Sequence, residues 1–126
     1  MLLKKKSKIF IAGHKGMVGS AIFRKLKKKG YKKIIVAEKK DLDLLNQDKT
    51  LKFFKKHKFS HVILAAAKVG GILANKNFKG DFIYENTTIQ SNVIFSSMKT
   101  NVRKLVFLGS SCVYPKFAKQ PIREEY

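Results

Sequence analysis

Four short apolar runs separated by helix-patterned stretches predict an α/β fold, a Rossmann-like doubly wound parallel sheet. Two observations narrow this. The runs show almost no polar alternation, which is the pattern of strands covered by helices on both faces. A glycine-rich turn also follows the first run directly. Crossovers of the intervening lengths are right-handed, so the sheet is open and ligands are expected beyond the carboxyl ends of its strands.

Lys8-Ile9-Phe10-Ile11-Ala12 reads as a short buried strand ending at Gly13. Residues 17–29 carry Val18, Ala21, Ile22 and Leu26 at helical spacing, with lysines on the opposite face. Gly30 ends this helix, as a residue that takes positive φ without penalty. Ile34 to Ala37 forms a second buried strand. Residues 48–57 predict a helix opened by Asn46 or Asp48 and packed through Leu51, Phe53 and Phe54. Val62 to Ala66 is the third strand. A long helix over about 78–99 is expected to turn Phe82, Ile83, Ile89, Val93, Ile94 and Met98 inward. Leu105 to Leu108 is the fourth strand, with loop beyond it. No repeat, linker or low-complexity segment divides the 126 residues, so one domain is expected.

A hydrophobic content of 44% excludes a disordered polycation. The longest apolar run, Val62 to Ala67, is far too short to cross a bilayer, so no membrane partner is expected. Met1 to Lys6 lacks the order of a signal peptide, because no long apolar region follows its charges. A single cysteine, Cys112, excludes an internal disulfide and fits a reducing compartment, which predicts a cytoplasmic location. The net charge of +20 attracts polyanions. Its lysines are scattered over nearly every segment, however, and only Arg24, Arg103 and Arg123 supply the guanidinium preferred for base and phosphate recognition. The expectation is a solvated basic surface without a specific nucleic-acid partner.

Gly13-His14-Lys15-Gly16-Met17-Val18-Gly19 carries glycines at the spacing G-x-x-G-x-x-G, between a strand and an amphipathic helix. The first glycine allows the tight turn. The second lets a pyrophosphate approach the N–H groups at the helix start, and the third lets helix pack closely on sheet. The end of the second strand then selects the cofactor, since an acid there binds a ribose 2′-hydroxyl and bases accept a 2′-phosphate. Glu38 is followed by Lys39 and Lys40, and Lys15 projects from the glycine turn, so NADP(H) is favoured over NAD. His14 shapes the turn or borders the cofactor. His57 and His61 are expected in solvated or capping roles. Lys68, after the third strand, is either near cofactor or substrate or a plain surface lysine. No His/Cys/Asp/Glu spacing indicates a metal site.

Three segments together resemble the GDP-L-fucose synthase family of extended short-chain dehydrogenases/reductases. They are Gly13 to Ile22, Ala65-Ala66-Ala67-Lys68-Val69-Gly70-Gly71-Ile72 with Ala74-Asn75, and Leu108-Gly109-Ser110-Ser111-Cys112-Val113-Tyr114-Pro115-Lys116 with Ala118 to Pro121. The resemblance covers nearly all of the chain but only the N-terminal part of the family's fold. It implies 3,5-epimerisation of GDP-4-keto-6-deoxy-D-mannose followed by NADPH-dependent reduction of its C4 ketone, with the complete enzyme a homodimer. Gly13, His14, Lys15, Gly16, Met17, Val18 and Gly19 would hold the pyrophosphate. Lys39, Lys40, Asp41, Leu42, Asp43 and Leu44 would surround the adenosine end. Leu108, Gly109, Ser110 and Ser111 would line the nicotinamide side. Ser110 would donate a hydrogen bond to the substrate ketone, stabilising charge that develops on oxygen. Otherwise its hydroxyl satisfies a turn. Cys112 would be the acid/base of epimerisation. A lone cysteine is otherwise an inert core residue.

Reductases of this superfamily pair a tyrosine with a lysine four residues later. Here Tyr31, Tyr84 and Tyr114 are followed at that distance by Ile35, Thr88 and Ala118, and Tyr126 is the last residue given. The chain is therefore expected to be an N-terminal piece of an enzyme. By itself it is expected to bind cofactor weakly or not at all, to aggregate, and not to turn over. The alternatives are another nucleotide-sugar epimerase or dehydratase, a non-catalytic dinucleotide-binding module, and a basic nucleic-acid binder.

Overall fold

The computed structural model describes residues 3–110 and 113–126. Its elements are β1 (Ile9–Ala12), α1 (Met17–Lys28), β2 (Ile34–Ile35), α2 (Gln47–His57), β3 (His61–Leu64), α3 (Ile72–Asn77), α4 (Lys79–Lys99) and β4 (Lys104–Phe107). The four strands form one parallel sheet in the order β2-β1-β3-β4, with Ile9 opposite both Ile34 and His61, and His61 opposite Lys104. The chain leaves β1 toward one side for β2, then returns to its other side for β3. That reversal opens a crevice at the carboxyl ends of β1 and β3, where doubly wound sheets place ligands.

The core lies on one face of this sheet. Phe10, Ala12, Val62 and Leu64 alternate along β1 and β3 and meet Phe54, Phe59, Leu42 and Val93. The Phe10 ring sits 5.3, 5.6 and 5.1 Å from the Phe53, Phe54 and Phe59 rings, so four aromatics knit β1 to α2 and the turn after it. Ile9 and Ile11, also buried, point to the other face. Asn46 caps α2, accepting from Lys49 N at 2.8 Å. Gly30 follows α1 at φ +78°.

Several expectations need correction. The stretch expected as one helix is preceded by a separate short one, α3, and β2 is only two residues long. In α1 the buried residue is Gly19, whereas Val18 and Ala21 are exposed, because the helix start is pressed onto the glycine turn and leaves its flank open. In α4 the inward face is Asn92, Val93, Ser96 and Ser97, while Ile83, Ile94 and Met98 are 70%, 45% and 62% exposed. Apolar residues occupy two faces of this helix, and periodicity alone does not say which one meets the sheet. β4 is expected to be buried on both faces but is largely exposed, since it is the edge strand here. Among the described residues, no helix is long and apolar enough to cross a membrane.

The histidines at the amino end of the sheet are not solvated. His57 stacks on Phe59 at 5.5 Å and leans on Phe53 at 4.4 Å. His61 is 9% exposed, with Nδ1 2.9 Å from the Ser60 hydroxyl, which itself donates to the Lys8 carbonyl. Burial pushes both imidazoles below their ordinary range, helped by Lys56 and Lys8 at His57 and by Arg103 at His61. The unfolded chain then binds these protons first, so stability is complete above the unfolded pKa of about 6.5 and falls as pH drops through and below it. The urea midpoint should decline between about pH 7 and pH 5, and His61→Leu should flatten part of that decline. A midpoint independent of pH across this range would contradict it.

Candidate functional site at the carboxyl edge of the sheet

The turn after β1 is built by two glycines folded against each other. Gly13 has φ +85°, and a Cβ there would lie 2.6 Å from the Ala65 carbonyl oxygen and the Ala66 nitrogen at the end of β3. A Cβ on Gly19 would fall 2.1 Å from the Gly13 carbonyl oxygen. Helix α1 therefore starts in direct backbone contact with the turn. Gly16 differs. Its N–H donates to the Gly13 carbonyl at 3.0 Å, and a Cβ would meet only that oxygen, at 3.4 Å. The protein fills the space around the first and third glycines and leaves open the space beside the second.

Gly16 is the N-cap of α1 and offers no side chain to the helix's first N–H groups, those of Met17, Val18 and Gly19. These point along the helix axis with the positive end of the dipole, as a pyrophosphate requires. Met17 is 87% exposed, so no side-chain bulk from elsewhere covers the turn. The donor set and the open cradle at Gly16 fit a dinucleotide phosphate.

Charge gathers beside this cradle at the end of β2. Lys15 Nζ lies 2.7 Å from Glu38 Oε1, and Lys40 Nζ 3.9 Å from Glu38 Oε2. The hydrogen bond and charge of Lys15 hold the Glu38 carboxyl below its usual range. Lys39 is exposed next to them. The chain then turns sharply, with Asp41 N and Leu42 N both donating to the Glu38 carbonyl, at 3.0 and 2.8 Å. Leu42 itself is 5% exposed and serves the core, so only its main chain is placed at the site edge. Asp43 Oδ1 accepts from Leu45 N at 3.0 Å, and Leu44 packs partly against the core.

Sequence reasoning missed the side chains that fix these loops. Asn92 of α4 donates to the Leu44 and Leu45 carbonyls at 2.8 and 3.1 Å, anchoring the segment after β2. Asn86 of α4 accepts from Lys68 N at 2.7 Å and donates to the Lys68 carbonyl at 3.0 Å, pinning the segment after β3. Lys68 is no free surface lysine: its ammonium pairs with Glu85 and lies over the Phe82 ring at 5.5 Å. The signal was available, since amides at inward positions of an otherwise apolar helix are buried only when they bond to something. A cavity of about 550 Å³ opens here, bordered by Lys68, Gly70, Asn75, Phe82 and Asn86.

Beyond β4, Leu108 N donates to the Leu64 carbonyl at 3.5 Å, and Gly109 takes φ +65°. Ser110 follows, its carbonyl accepting from Val113 N at 3.3 Å. β3 alone separates β4 from β1, so Ser110 and the glycine turn leave the same sheet edge two strand spacings apart, about 10 Å. Ser111 and Cys112 lie outside the described residues. Among the described residues no group of three or more His, Cys, Asp or Glu could hold a metal ion.

Comparison with known proteins agrees with this arrangement. Residues 9–126 match the NAD dependent epimerase/dehydratase family. A GDP-L-fucose synthase from Sinorhizobium fredii is 54% identical over 125 residues, which is 99% of this chain and 40% of that protein. The chain thus spans about two fifths of the length of the curated relatives it matches. Among solved structures, a GDP-D-glycero-L-gluco-heptose synthase from Campylobacter jejuni, crystallised in the presence of NADPH, superposes with a TM-score of 0.95. It is 46% identical over 99% of this chain and 36% of its own. A GDP-L-fucose synthetase from Naegleria fowleri bound to NADP gives a TM-score of 0.85 and 32% identity, over 99% of this chain and 40% of its own. The glycine turn at the β1/β3 crevice and the match across nearly every described element place this chain in the NAD dependent epimerase/dehydratase family.

Proposed function

We propose that this chain forms the cofactor-binding part of an NADP(H)-dependent enzyme that epimerises GDP-4-keto-6-deoxy-D-mannose at C3 and C5 and reduces it at C4 to GDP-L-fucose. The observation that carries the reading is the turn Gly13–Gly19, closed by backbone at its first and third glycines and open at Gly16. The choice of substrate is supported by the 54% identity to a GDP-L-fucose synthase. NADP(H) is supported by Lys15, Lys39 and Lys40 around the cradle and by the cofactors in the C. jejuni and N. fowleri structures.

When bound, the reduced cofactor supplies the hydride. The chain's own residues do the rest. The α1 N–H groups and Gly16 hold the pyrophosphate, and Lys39 to Leu44 border the adenosine end. Leu108 to Ser111 border the nicotinamide. The Ser110 hydroxyl donates to the sugar ketone, favouring enolisation during epimerisation and negative charge on oxygen during reduction. Cys112 as thiolate accepts the proton α to that ketone, which is acidic enough for a side-chain base.

The test is to incubate the gene product carrying this sequence with GDP-4-keto-6-deoxy-D-mannose and NADPH, following NADPH absorbance and the stereochemistry of the product. GDP-L-fucose formed with NADPH consumption is expected. Reduction of a GDP-heptose in its place would favour a second reading, for which the C. jejuni enzyme is the ground. No reaction with any GDP-keto sugar would leave only a nucleotide-binding module.

The reading includes cytoplasmic action as a homodimer. The exposed stripe Ile83, Ile94 and Met98 on α4 is apolar, lies on one helix face and meets nothing else described. Ile94→Asp should convert the dimer to monomer in light scattering while helicity is kept. An unchanged mass would count against pairing through α4.

A further inference from the structure

Glu38 stands where doubly wound domains discriminate between the two nicotinamide dinucleotides, yet it is surrounded by cations. Its Oε1 is held 2.7 Å from Lys15 Nζ and its Oε2 faces Lys40 Nζ at 3.9 Å. Lys15 comes from the glycine turn and Lys40 from the loop after β2, so one carboxylate bridges the two segments that flank the adenosine ribose position. An acid in this place accepts hydrogen bonds from a ribose diol, and free lysines attract a 2′-phosphate. Here the acid and the lysines occupy the same few ångströms.

We infer that Glu38 is a specificity-determining residue that acts as an internal counter-ion. It neutralises Lys15 when no 2′-phosphate is present and must release Lys15 when one binds. The inference rests on the dinucleotide reading proposed above. A 2′-phosphate carries nearly two negative charges, and Glu38 in its present position would stand beside it as a like charge. To bind, the phosphate has to take the Lys15 ammonium from the carboxylate, so part of its attraction is spent on breaking an existing ion pair. A 2′-hydroxyl meets no such competitor and can donate to Glu38, whose second oxygen is held only loosely by Lys40. Glu38 therefore narrows the gap between the cofactors, giving a site that uses both. The lysines alone would make it strongly selective for NADP(H).

Side chains of Lys15, Lys40 and Glu38 are 68%, 76% and 40% exposed, so substitutions here leave the core untouched. The experiment measures dissociation constants of NADPH and NADH for the gene product carrying this sequence and for its Glu38→Gln and Lys15→Met variants. Glu38→Gln should tighten NADPH and weaken NADH, raising the preference for NADPH by about tenfold, the range of one charge-assisted hydrogen bond. Lys15→Met should lower that preference by a similar factor. A ratio unchanged in Glu38→Gln, with both cofactors still bound, would overturn this role and leave the dinucleotide site intact. Failure of the unsubstituted protein to bind either cofactor would overturn the site itself, and this inference with it.

Discussion

Gly19→Ala is expected to unfold the first βαβ unit, whereas Gly16→Ala, three residues away in the same motif, should be nearly neutral for folding. The new methyl at position 19 would sit 2.1 Å from the Gly13 carbonyl oxygen and 2.7 Å from its carbon, and both are backbone atoms that cannot rotate away. Relief requires α1 to lift off the turn, exposing Ile9, Ile11 and the helix's inner side chains. The cost should be about 3 kcal/mol or more, a large part of the roughly 5–15 kcal/mol that holds a domain together. At Gly16 the methyl would meet one oxygen at 3.4 Å, ordinary contact with slight pressure. Its φ of −70° suits any residue. The expected cost is below about 1 kcal/mol, the difference between glycine and alanine at a helix N-cap. Urea unfolding of both variants checks this. Equal stabilities would mean that the close approach of helix and turn is not what requires glycine.

The second large effect is chemical. Ser110→Ala in the gene product carrying this sequence should lower the rate of ketone reduction by about a hundredfold or more, the usual loss for one donor to a developing oxyanion. NADPH affinity should stay within a few-fold, because Ser110 leaves the sheet two strands away from the pyrophosphate cradle. Cys112→Ser should separate the reactions. Exchange of the protons α to the ketone should fall by a comparable factor, since a hydroxyl is a far weaker base than a tuned thiol. Direct C4 reduction without inversion should persist. Proton exchange in deuterated water, followed by NMR, distinguishes the two variants. Full exchange in Cys112→Ser would remove the cysteine from the mechanism.

The alternation of strand and helix was legible because fully covered parallel strands must be continuously apolar, and β1 and β3 are. The glycine turn was legible for a similar reason: a backbone contact as short as the one between Gly19 and Gly13 leaves its mark in the sequence as a residue without Cβ. Other features depend on tertiary context that no local pattern carries. Whether Ile94 or Ser96 of α4 faces the sheet depends on what lies opposite, and here small polar residues allow the helix to approach closely. Asn86 and Asn92 look like ordinary helix-surface amides until the loops they hold are in place. His57 and His61 were expected to be solvated because histidine is often so at element ends. The aromatic cluster around Phe59 and the buried start of β3 override that tendency. The Lys15–Glu38 pair joins residues 23 positions apart and becomes visible only when β1 and β2 lie side by side.

The most direct test is a titration of NADPH against the gene product carrying this sequence and against its Gly16→Val variant, by calorimetry, with urea unfolding of each as a control. The unsubstituted protein should bind one cofactor per chain. The variant should keep most of its stability and lose affinity by at least about a hundredfold, because the valine side chain would stand where the pyrophosphate meets the α1 N–H groups. Equal affinity in the two proteins would contradict a dinucleotide site at this turn.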